Sequence, residues 1–359
     1  MKRPSLCTWT PLLLCALSVE STAGSLQEAI DAAAPGEVVL VDPGDYPRPL
    51  VARKAITIRP SGPGVVRFAS LTGSACRVED IVFDGRVGSE SAALVVAGDG
   101  LTLSGCTITT AIQGLLVETG AAGVTLESCL LEDLITGIEL EPGVQTLDLF
   151  DTAFENCTRG LLDDPDTGCP EACGEAPCGT VRIRDCRFEG GELQIRLEGG
   201  YAVEASGSLF SKGGTAISLA HGALALDDCD VLGDLRQGTG LLLDGVSGSV
   251  VRCRVASWKT AIRVTQATCG ASALVLGGSL SEANDLVENN KSLRVEQPEP
   301  VQAEYNYWGT IDCLLLRLAI DGLSVEAIVD AHHFSVYFCP PTPVQRTSWG
   351  RLRVREGGR

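Results

Sequence analysis

The sequence predicts an all-β solenoid, because one short strand phrase is repeated along residues 101–255. Each copy begins with a strand of alternating apolar residues, followed by a polar corner. A small residue and a further short apolar strand come next. The small residue recurs in steps of 23, 23, 34, 22, 21 and 24 residues, at Cys106, Cys129, Thr152, Cys186, Ser208, Cys229 and Cys253. One insertion, residues 163–180, accounts for the long step. A period in this range is typical of stacked coils, and not of a sandwich or a doubly wound sheet.

A second apolar strand in each coil indicates which side chains face the core. In residues 137–141, Ile138 and Leu140 alternate with Glu139 and Glu141. Successive side chains of a strand point to opposite faces, so we expect the aliphatic pair inside and the carboxylates outside. Equivalent residues of neighbouring coils then form ladders, and we expect roughly nine coils stacked about 4.8 Å apart.

The first residues are typical of an export signal followed by a cap. Residues 1–23 combine a basic start, a short apolar run and small residues at the end, so we expect a signal peptide. The protein would then be secreted, periplasmic or held at the cell surface. Residues 25–34 predict a short amphipathic helix that covers the open edge of the first coil.

The opening of the chain resembles exported right-handed parallel β-helix proteins. The matching segments are this helix, the strand 37–41, the turn 43–46 and residues 76–85. In these segments the chain resembles the pectin-lyase-like superfamily, and the resemblance extends to about residue 338. It implies one right-handed parallel β-helix with a helical N-terminal cap. It implies no single activity, since the superfamily contains lyases, hydrolases, epimerases and adhesins.

The chain changes character towards its end. The segment Asn306-Tyr-Trp-Gly309 resembles the closing coil of exported bacterial β-helix proteins of no known function, which implies a structural role for these residues. We expect residues 310–339 to close the solenoid, so that the β-helix domain covers residues 24–339. Residues 340–359 have five Arg and no apolar period, which predicts a disordered tail.

The cysteines divide into an insertion group, a terminal pair and a core group. The insertion group, for which we expect two local disulfides, is Cys157, Cys169, Cys173 and Cys178. Zinc is the alternative there, although no CxxC pair or His is near. Cys313 and Cys339 would tie the end of the chain. The thiols at the inward position of the repeat are expected to fill the core as small hydrophobic groups.

Charge restricts the choice of partners. The formal net charge is -18 at pH 7, so the chain would repel phosphates, and we expect no nucleic-acid partner. No apolar run is long enough to span a bilayer. We therefore expect a monomer whose partner is a polysaccharide or a cell-surface protein.

An outward row of carboxylates is a candidate calcium site. It contains Glu118, Glu141, Asp164 and Glu198, at equivalent positions of successive coils. Like charges at ladder spacing repel each other, and a bound cation relieves that repulsion. Calcium prefers oxygen ligands and suits an exported acidic protein. The alternative is that these side chains are simply solvated.

A second candidate site combines Asp and Arg on another face. We expect Asp228 beside Arg252 of the next coil, and Asp230 beside Arg254. Polysaccharide lyases of the resembled superfamily use carboxylates, calcium and a basic residue on an outer face, where a base removes a proton next to a uronate carboxylate. Cross-strand ion pairing is the alternative, at up to about 1 kcal/mol for each pair.

Histidine gives no catalytic set. Polygalacturonases of the resembled fold carry Asn-Thr-Asp, Asp-Asp, Gly-His-Gly and Arg-Ile-Lys in that order. Here Ala220-His-Gly222 precedes Asp227-Asp228, and the first and last elements do not occur.

Two functions therefore follow from the sequence. The first is a non-catalytic surface scaffold that binds a glycan or a protein. The second is a calcium-assisted polysaccharide lyase or hydrolase. An enzyme needs a groove in which carboxylates and Arg converge, whereas a scaffold carries charges spread along flat faces.

Overall fold

The chain folds as a parallel β-solenoid, as the sequence predicts. The computed structural model describes residues 26–86, 92–163, 179–234, 237–265, 273–297, 301–303, 306–309 and 319–322. The expected signal peptide, Asp164, most of the insertion, most of the closing segment and the tail lie outside these residues. Ten described coils contribute one strand to each of three sheets, which agrees with the roughly nine expected.

Sheet A has eleven strands and contains the first half of the repeated phrase. Its strands are β1 (Val38–Val41), β4 (Thr57–Pro60), β7 (Arg77–Glu79), β10 (Thr102–Ser104), β13 (Val124–Glu127), β16 (Thr146–Phe150), β19 (Thr180–Arg184), β22 (Ala202–Ser206), β25 (Ala223–Asp227), β28 (Ser247–Val251) and β31 (Leu274–Leu276).

Sheet B has ten strands, each beginning shortly after a corner. They are β2 (Gly44–Tyr46), β5 (Val66–Phe68), β8 (Val82–Asp84), β11 (Thr107–Thr109), β14 (Leu130–Glu132), β17 (Ala153–Glu155), β20 (Arg187–Glu189), β23 (Leu209–Ser211), β26 (Asp230–Leu232) and β29 (Arg254–Ala256). Isolated parallel bridges continue this row of strands from Arg254 to Asp285 and from Asp285 to Tyr307.

Sheet C has twelve strands and contains the second strand of each coil that the sequence shows. They are β3 (Leu50–Ala52), β6 (Leu71–Gly73), β9 (Ala92–Val96), β12 (Gln113–Val117), β15 (Thr136–Leu140), β18 (Arg159–Asp163), β21 (Leu193–Leu197), β24 (Thr215–Ala220), β27 (Thr239–Asp244), β30 (Thr260–Thr265), β32 (Lys291–Val295) and β33 (Ile320–Gly322). A 3-10 turn spans Leu280–Glu282.

Helix α1 (Leu26–Ala32) covers the first coil, as expected. It buries Leu26 and Ile30. Strand β3 is the first strand of sheet C, so no described strand pairs with its outer edge. The Gln27 side chain pairs with that edge instead: its Oε1 accepts the Val51 N–H and its Nε2 donates to the Val51 carbonyl, both at 2.9 Å. No helix in the described part of the chain is long and apolar enough to cross a membrane.

The polar corner of the repeat is one left-handed residue between sheets A and B. Asp80, Ser128, Asp151, Asp185, Asp228 and Arg252 have φ angles of 54°, 52°, 47°, 55°, 51° and 55°. Asp is among the residues that tolerate this region best, and Gly is the freest. Gly207 occupies the same corner with φ 58°, and a Cβ there would lie 2.4 Å from Asp185 Oδ1. Gly at this position avoids that contact with the Asp of the preceding coil.

After each corner, one inward side chain accepts a hydrogen bond from the main chain of the preceding coil. We call these residues the corner column: Cys106, Cys129, Thr152, Cys186, Ser208, Cys229, Cys253, Asn284 and Asn306. Ser208 Oγ accepts the Cys186 N–H at 3.1 Å, and Asn284 Oδ1 accepts the Cys253 N–H at 2.9 Å. The sulfurs accept in the same way, Cys229 from the Ser208 N–H for example. The column thus satisfies main-chain donors that no strand reaches.

The cysteines that the structure describes are buried free thiols. They are Cys76, Cys106, Cys129, Cys157, Cys186, Cys229 and Cys253. The expected role of the inward thiols in filling the core is therefore observed. The expected disulfide of Cys157 is wrong, because its side chain turns into the core and its thiol donates to the Leu131 carbonyl at 3.5 Å. The other insertion cysteines, Cys313 and Cys339 lie outside the described residues.

Aromatic rings form a stack along the inner side of sheet B. The Phe154 and Phe188 rings are 4.3 Å apart and nearly parallel, at 8°. The Phe188 and Phe210 rings follow at 5.0 Å and 14°. Because the coils are in register, equivalent Phe side chains lie directly over one another. Each ring in the stack is therefore packed between two coils.

The last described residue before the insertion has a buried carboxylate. Asp163 ends β18 in register with Leu140, so its side chain points into the core. Its carboxylate accepts the Glu198 N–H at 2.8 Å and the Gly199 N–H at 2.5 Å. Burial raises the pKa of Asp163 more than these donors lower it, and burial with the Asp163 charge raises the pKa of Tyr201 to about 12.

We expect Phe188→Ala to lower the free energy of unfolding by about 3 to 5 kcal/mol, because it leaves a cavity between two rings. Urea denaturation measures this. The control is Ile112→Ala, at a side chain that is 58% exposed, where the change should stay within about 0.5 kcal/mol. Equal losses in both variants would contradict the stacking role of Phe188.

Asp84 and Asp163 are both buried, and their contributions to stability should depend on pH in opposite directions. Burial alone would raise the pKa of Asp84, but hydrogen bonds from Arg86 and Thr110 lower it to about 2. Asp84 therefore stabilises the fold at pH values above its unfolded pKa of about 3.9, by roughly 2 to 3 kcal/mol, and this is lost as the pH falls through about 2. The contribution of Asp163 is full below its unfolded pKa and is lost as the pH rises through its raised folded pKa.

The measurement is the unfolding free energy against pH for the wild type, Asp84→Asn and Asp163→Asn. The advantage of the wild type over Asp84→Asn should grow as the pH rises, and its advantage over Asp163→Asn should shrink. Two difference curves of the same sign would show that one of the two pKa shifts is assigned wrongly.

Candidate functional site

The expected calcium row is engaged in contacts within the protein. Glu141 Oε2 accepts both the N–H and the hydroxyl of Thr119 at 3.0 Å. Glu198 pairs with Arg196, at 2.7 Å between Nη2 and Oε1. Glu118 follows β12, one coil before Glu141. Within the described ranges, no three His, Cys, Asp or Glu side chains group as metal ligands. Asp164 lies outside them, so the calcium site stays a prediction.

The expected Asp and Arg pairs are neighbours, but the ionic contact differs from the one expected. Asp230 and Arg254 are register partners of β26 and β29. Asp228 and Arg252 occupy the same corner in successive coils. The ion pair of Arg252, however, is with Asp227. Since the left-handed corner turns Asp228 outwards, the last residue of β25 is the one that meets the guanidinium.

Two further residues extend the Asp230–Arg254 row on sheet B: Asp285, which sequence reasoning missed, and Tyr307, to which it gave a structural role. The bridges bring Asp285 next to Arg254 and Tyr307 next to Asp285. Cys229-Asp230, Cys253-Arg254, Asn284-Asp285 and Asn306-Tyr307 all place a corner-column residue before an outward residue. That shared pattern could have identified Asp285 and Tyr307, although the residue before each of them is Asn and not Cys. We call Asp230, Arg254, Asp285 and Tyr307 the sheet B row.

Asp285 is the unusual member of the sheet B row. Its side chain is half-buried, and its Oδ1 has no hydrogen-bond partner among the described residues. Burial raises the pKa of Asp285; the charge of Arg254 lowers it and that of Glu288 raises it. The row ends at Tyr307, which is 38% exposed, while its neighbour Trp308 is buried. A guanidinium, a carboxyl and an aromatic ring therefore line one strip of the surface.

Most of the other described Arg and Lys side chains form local ion pairs. On sheet A, Arg182 contacts Asp148 at 3.2 Å and Glu204 at 3.3 Å, in the coils on either side. On sheet C, Arg263 and Arg294 share Glu296 across adjacent coils. These groups are spread along the solenoid and do not converge.

His221 lies at a corner between sheets C and A, with φ 56°. His332 and His333 lie outside the described residues.

Comparison with known proteins gives similarity of fold. No protein-family model and no curated protein matches this sequence. A mannuronic acid-specific polysaccharide family 6 lyase from human gut microbiota aligns over 84% of this chain and 88% of its own, with a TM-score of 0.50 and 9% identity. The catalytic domain of a GH87 α-1,3-glucanase in complex with tetrasaccharides aligns over 98% and 70%, with a TM-score of 0.43 and 10% identity. An alginate lyase from a Paenibacillus species aligns over 79% and 92%, with a TM-score of 0.38 and 14% identity. At these identities the likeness is one of fold.

Proposed function

We propose that this chain is an exported polysaccharide-binding solenoid that holds its ligand along the sheet B row and does not cleave it. The observation that carries the proposal is the row itself, in which Arg254, Asp285 and Tyr307 occupy adjacent coils on one flat face. A guanidinium and a carboxyl suit the hydroxyl and carboxylate groups of a glycan. A tyrosine offers an apolar ring with a polar tip.

Binding is favoured over cleavage by the arrangement of the charges. Catalysis needs an acid or base within reach of the proton that it moves, together with a group that stabilises the developing charge. Among the described residues, the ion pairs are distributed over three faces, with guanidinium groups engaged by carboxylates. The family 6 lyase that shares the fold acts on a polysaccharide, which supports a carbohydrate ligand by analogy.

Arg254→Ala should weaken binding of a uronate polysaccharide such as alginate by about tenfold, the loss of one charged hydrogen bond. Calorimetry on the full chain measures the affinity. Arg59→Ala is the matched control, because Arg59 lies on sheet A and its side chain is 52% exposed. We expect its affinity to be unchanged. Equal loss in both variants would mean that net charge, and not the row, governs binding.

The alternative is a calcium-assisted polysaccharide lyase or hydrolase, and Asp285 is the observation that favours it. A carboxyl with a raised pKa beside a guanidinium suits proton transfer next to a uronate carboxylate that Arg254 would neutralise. Calcium would bind at Glu118, Glu141, Asp164 and Glu198.

The two functions are separated by incubating the protein with alginate and polygalacturonate, with and without calcium, while the absorbance of unsaturated product is followed. We expect binding without product. Product that disappears in Asp285→Asn while binding persists would establish the lyase and reject the scaffold. Heat of calcium binding that is lost in Glu141→Gln would support the calcium row.

A further inference from the structure

The corner column contains two places where cysteines of adjacent coils are stacked. Cys106 and Cys129 are flanked by the register pairs Ser104–Glu127 and Thr107–Leu130. They therefore occupy one position in successive coils, whose strands lie about 4.8 Å apart. Each thiol shifts the pKa of the other, raising that of Cys106 and lowering that of Cys129.

The second stack is built in the same way. Cys229 and Cys253 are flanked by the register pairs Asp227–Val251 and Asp230–Arg254. Here too each thiol shifts the pKa of the other, lowering that of Cys229 and raising that of Cys253. Both pairs are buried, at 0% and 3% exposure for the first and 2% and 1% for the second. Disulfides form between Cα atoms that are about 4.4 to 6.8 Å apart, and the coil spacing falls within that range.

The remaining described thiols have no such neighbour. In the corner column, Cys186 lies between Thr152 and Ser208, whose hydroxyls belong to the same row. Cys76 and Cys157 lie at other corners, where Leu101 and Leu134 occupy equivalent positions in adjacent coils. The molecule therefore holds two thiol pairs and three single thiols in otherwise similar surroundings.

We propose that Cys106–Cys129 and Cys229–Cys253 are two disulfide sites that join adjacent coils when the chain folds in an oxidising medium. The oxidant is a small-molecule disulfide such as oxidised glutathione. One cysteine thiolate attacks it and releases one thiol, and the second cysteine then attacks the mixed disulfide and releases the other. Formation of each protein disulfide thus removes two protons and two electrons from the two cysteine thiols, and the small disulfide is reduced to two thiols.

The order of events follows from burial. A mixed disulfide cannot fit into a core where these side chains are almost fully buried. The bonds therefore form before the coils close. Once the solenoid is complete, burial protects either state from exchange.

The test is refolding of the full chain from urea in a buffer of reduced and oxidised glutathione. Alkylation in denaturant and peptide mapping follow. We expect Cys106 to be linked to Cys129 and Cys229 to Cys253, while Cys76, Cys157 and Cys186 are alkylated. Alkylation of all seven described cysteines, or a link that joins Cys186 to another of them, would overturn the proposal. If refolding fails, the same map is made on chain exported to the periplasm of a bacterial host.

Matched variants give a second readout. Cys129→Thr copies the residue of the next coil, Thr152, and Cys253→Ser copies Ser208, so both keep an acceptor in the corner column. In the wild type, oxidation should raise the urea midpoint. Each variant should lose part of that shift, while Cys186→Ser should keep all of it. An equal shift in all three variants would also reject the two sites.

Discussion

The main-chain hydrogen bonds between adjacent coils are the constraint on which the rest of this structure depends. The described strands of a coil pair through their N–H and C=O groups with strands of the coils on either side, and not with one another. In the regular pattern the Glu141 N–H donates to the Val117 carbonyl at 2.9 Å, and the Glu296 N–H to the Val264 carbonyl at 2.8 Å. Where the insertion interrupts this pattern, the Asp163 carboxylate accepts the Glu198 N–H in place of a carbonyl. The same need makes Gln27 pair with the edge of β3.

The constraint also explains the composition of the corner column. The residue after each left-handed corner must be small enough to lie inside, and it must accept an N–H from the preceding coil. Thiol, hydroxyl and amide groups meet both conditions, which is why Cys, Thr, Ser and Asn all occur in the column. Asn fills the last two positions, where Asn284 Nδ2 also donates to Asn306 Oδ1 at 2.8 Å. Cysteine in this column is thus a main-chain acceptor as well as a core residue.

The fold was predictable because its signals are periodic, whereas the errors occurred where the period breaks. Alternation and spacing predict the strands, the inward thiols and the Asp230–Arg254 register. Cys157 was assigned to the insertion by its place in the chain, but it belongs to a corner and turns inwards. Asp285 was missed because Asn284 replaces Cys in the phrase and the strand shortens to a single bridge. Side-chain partners such as Asp227 for Arg252 depend on corner geometry, which spacing alone does not give.

The surface charge of this chain acts differently at long and short range. A formal net charge of -18 repels a polyanion from a distance, yet this repulsion is screened within about 8 Å at physiological ionic strength. Contact is governed by the local groups. Elsewhere on the solenoid, several Arg side chains pair with carboxylates of neighbouring coils, as Arg182 does between Asp148 and Glu204. In the sheet B row the carboxyl beside Arg254 has a raised pKa, so protonation of Asp285 would leave the guanidinium less neutralised. A local positive group can therefore exist on a strongly acidic protein.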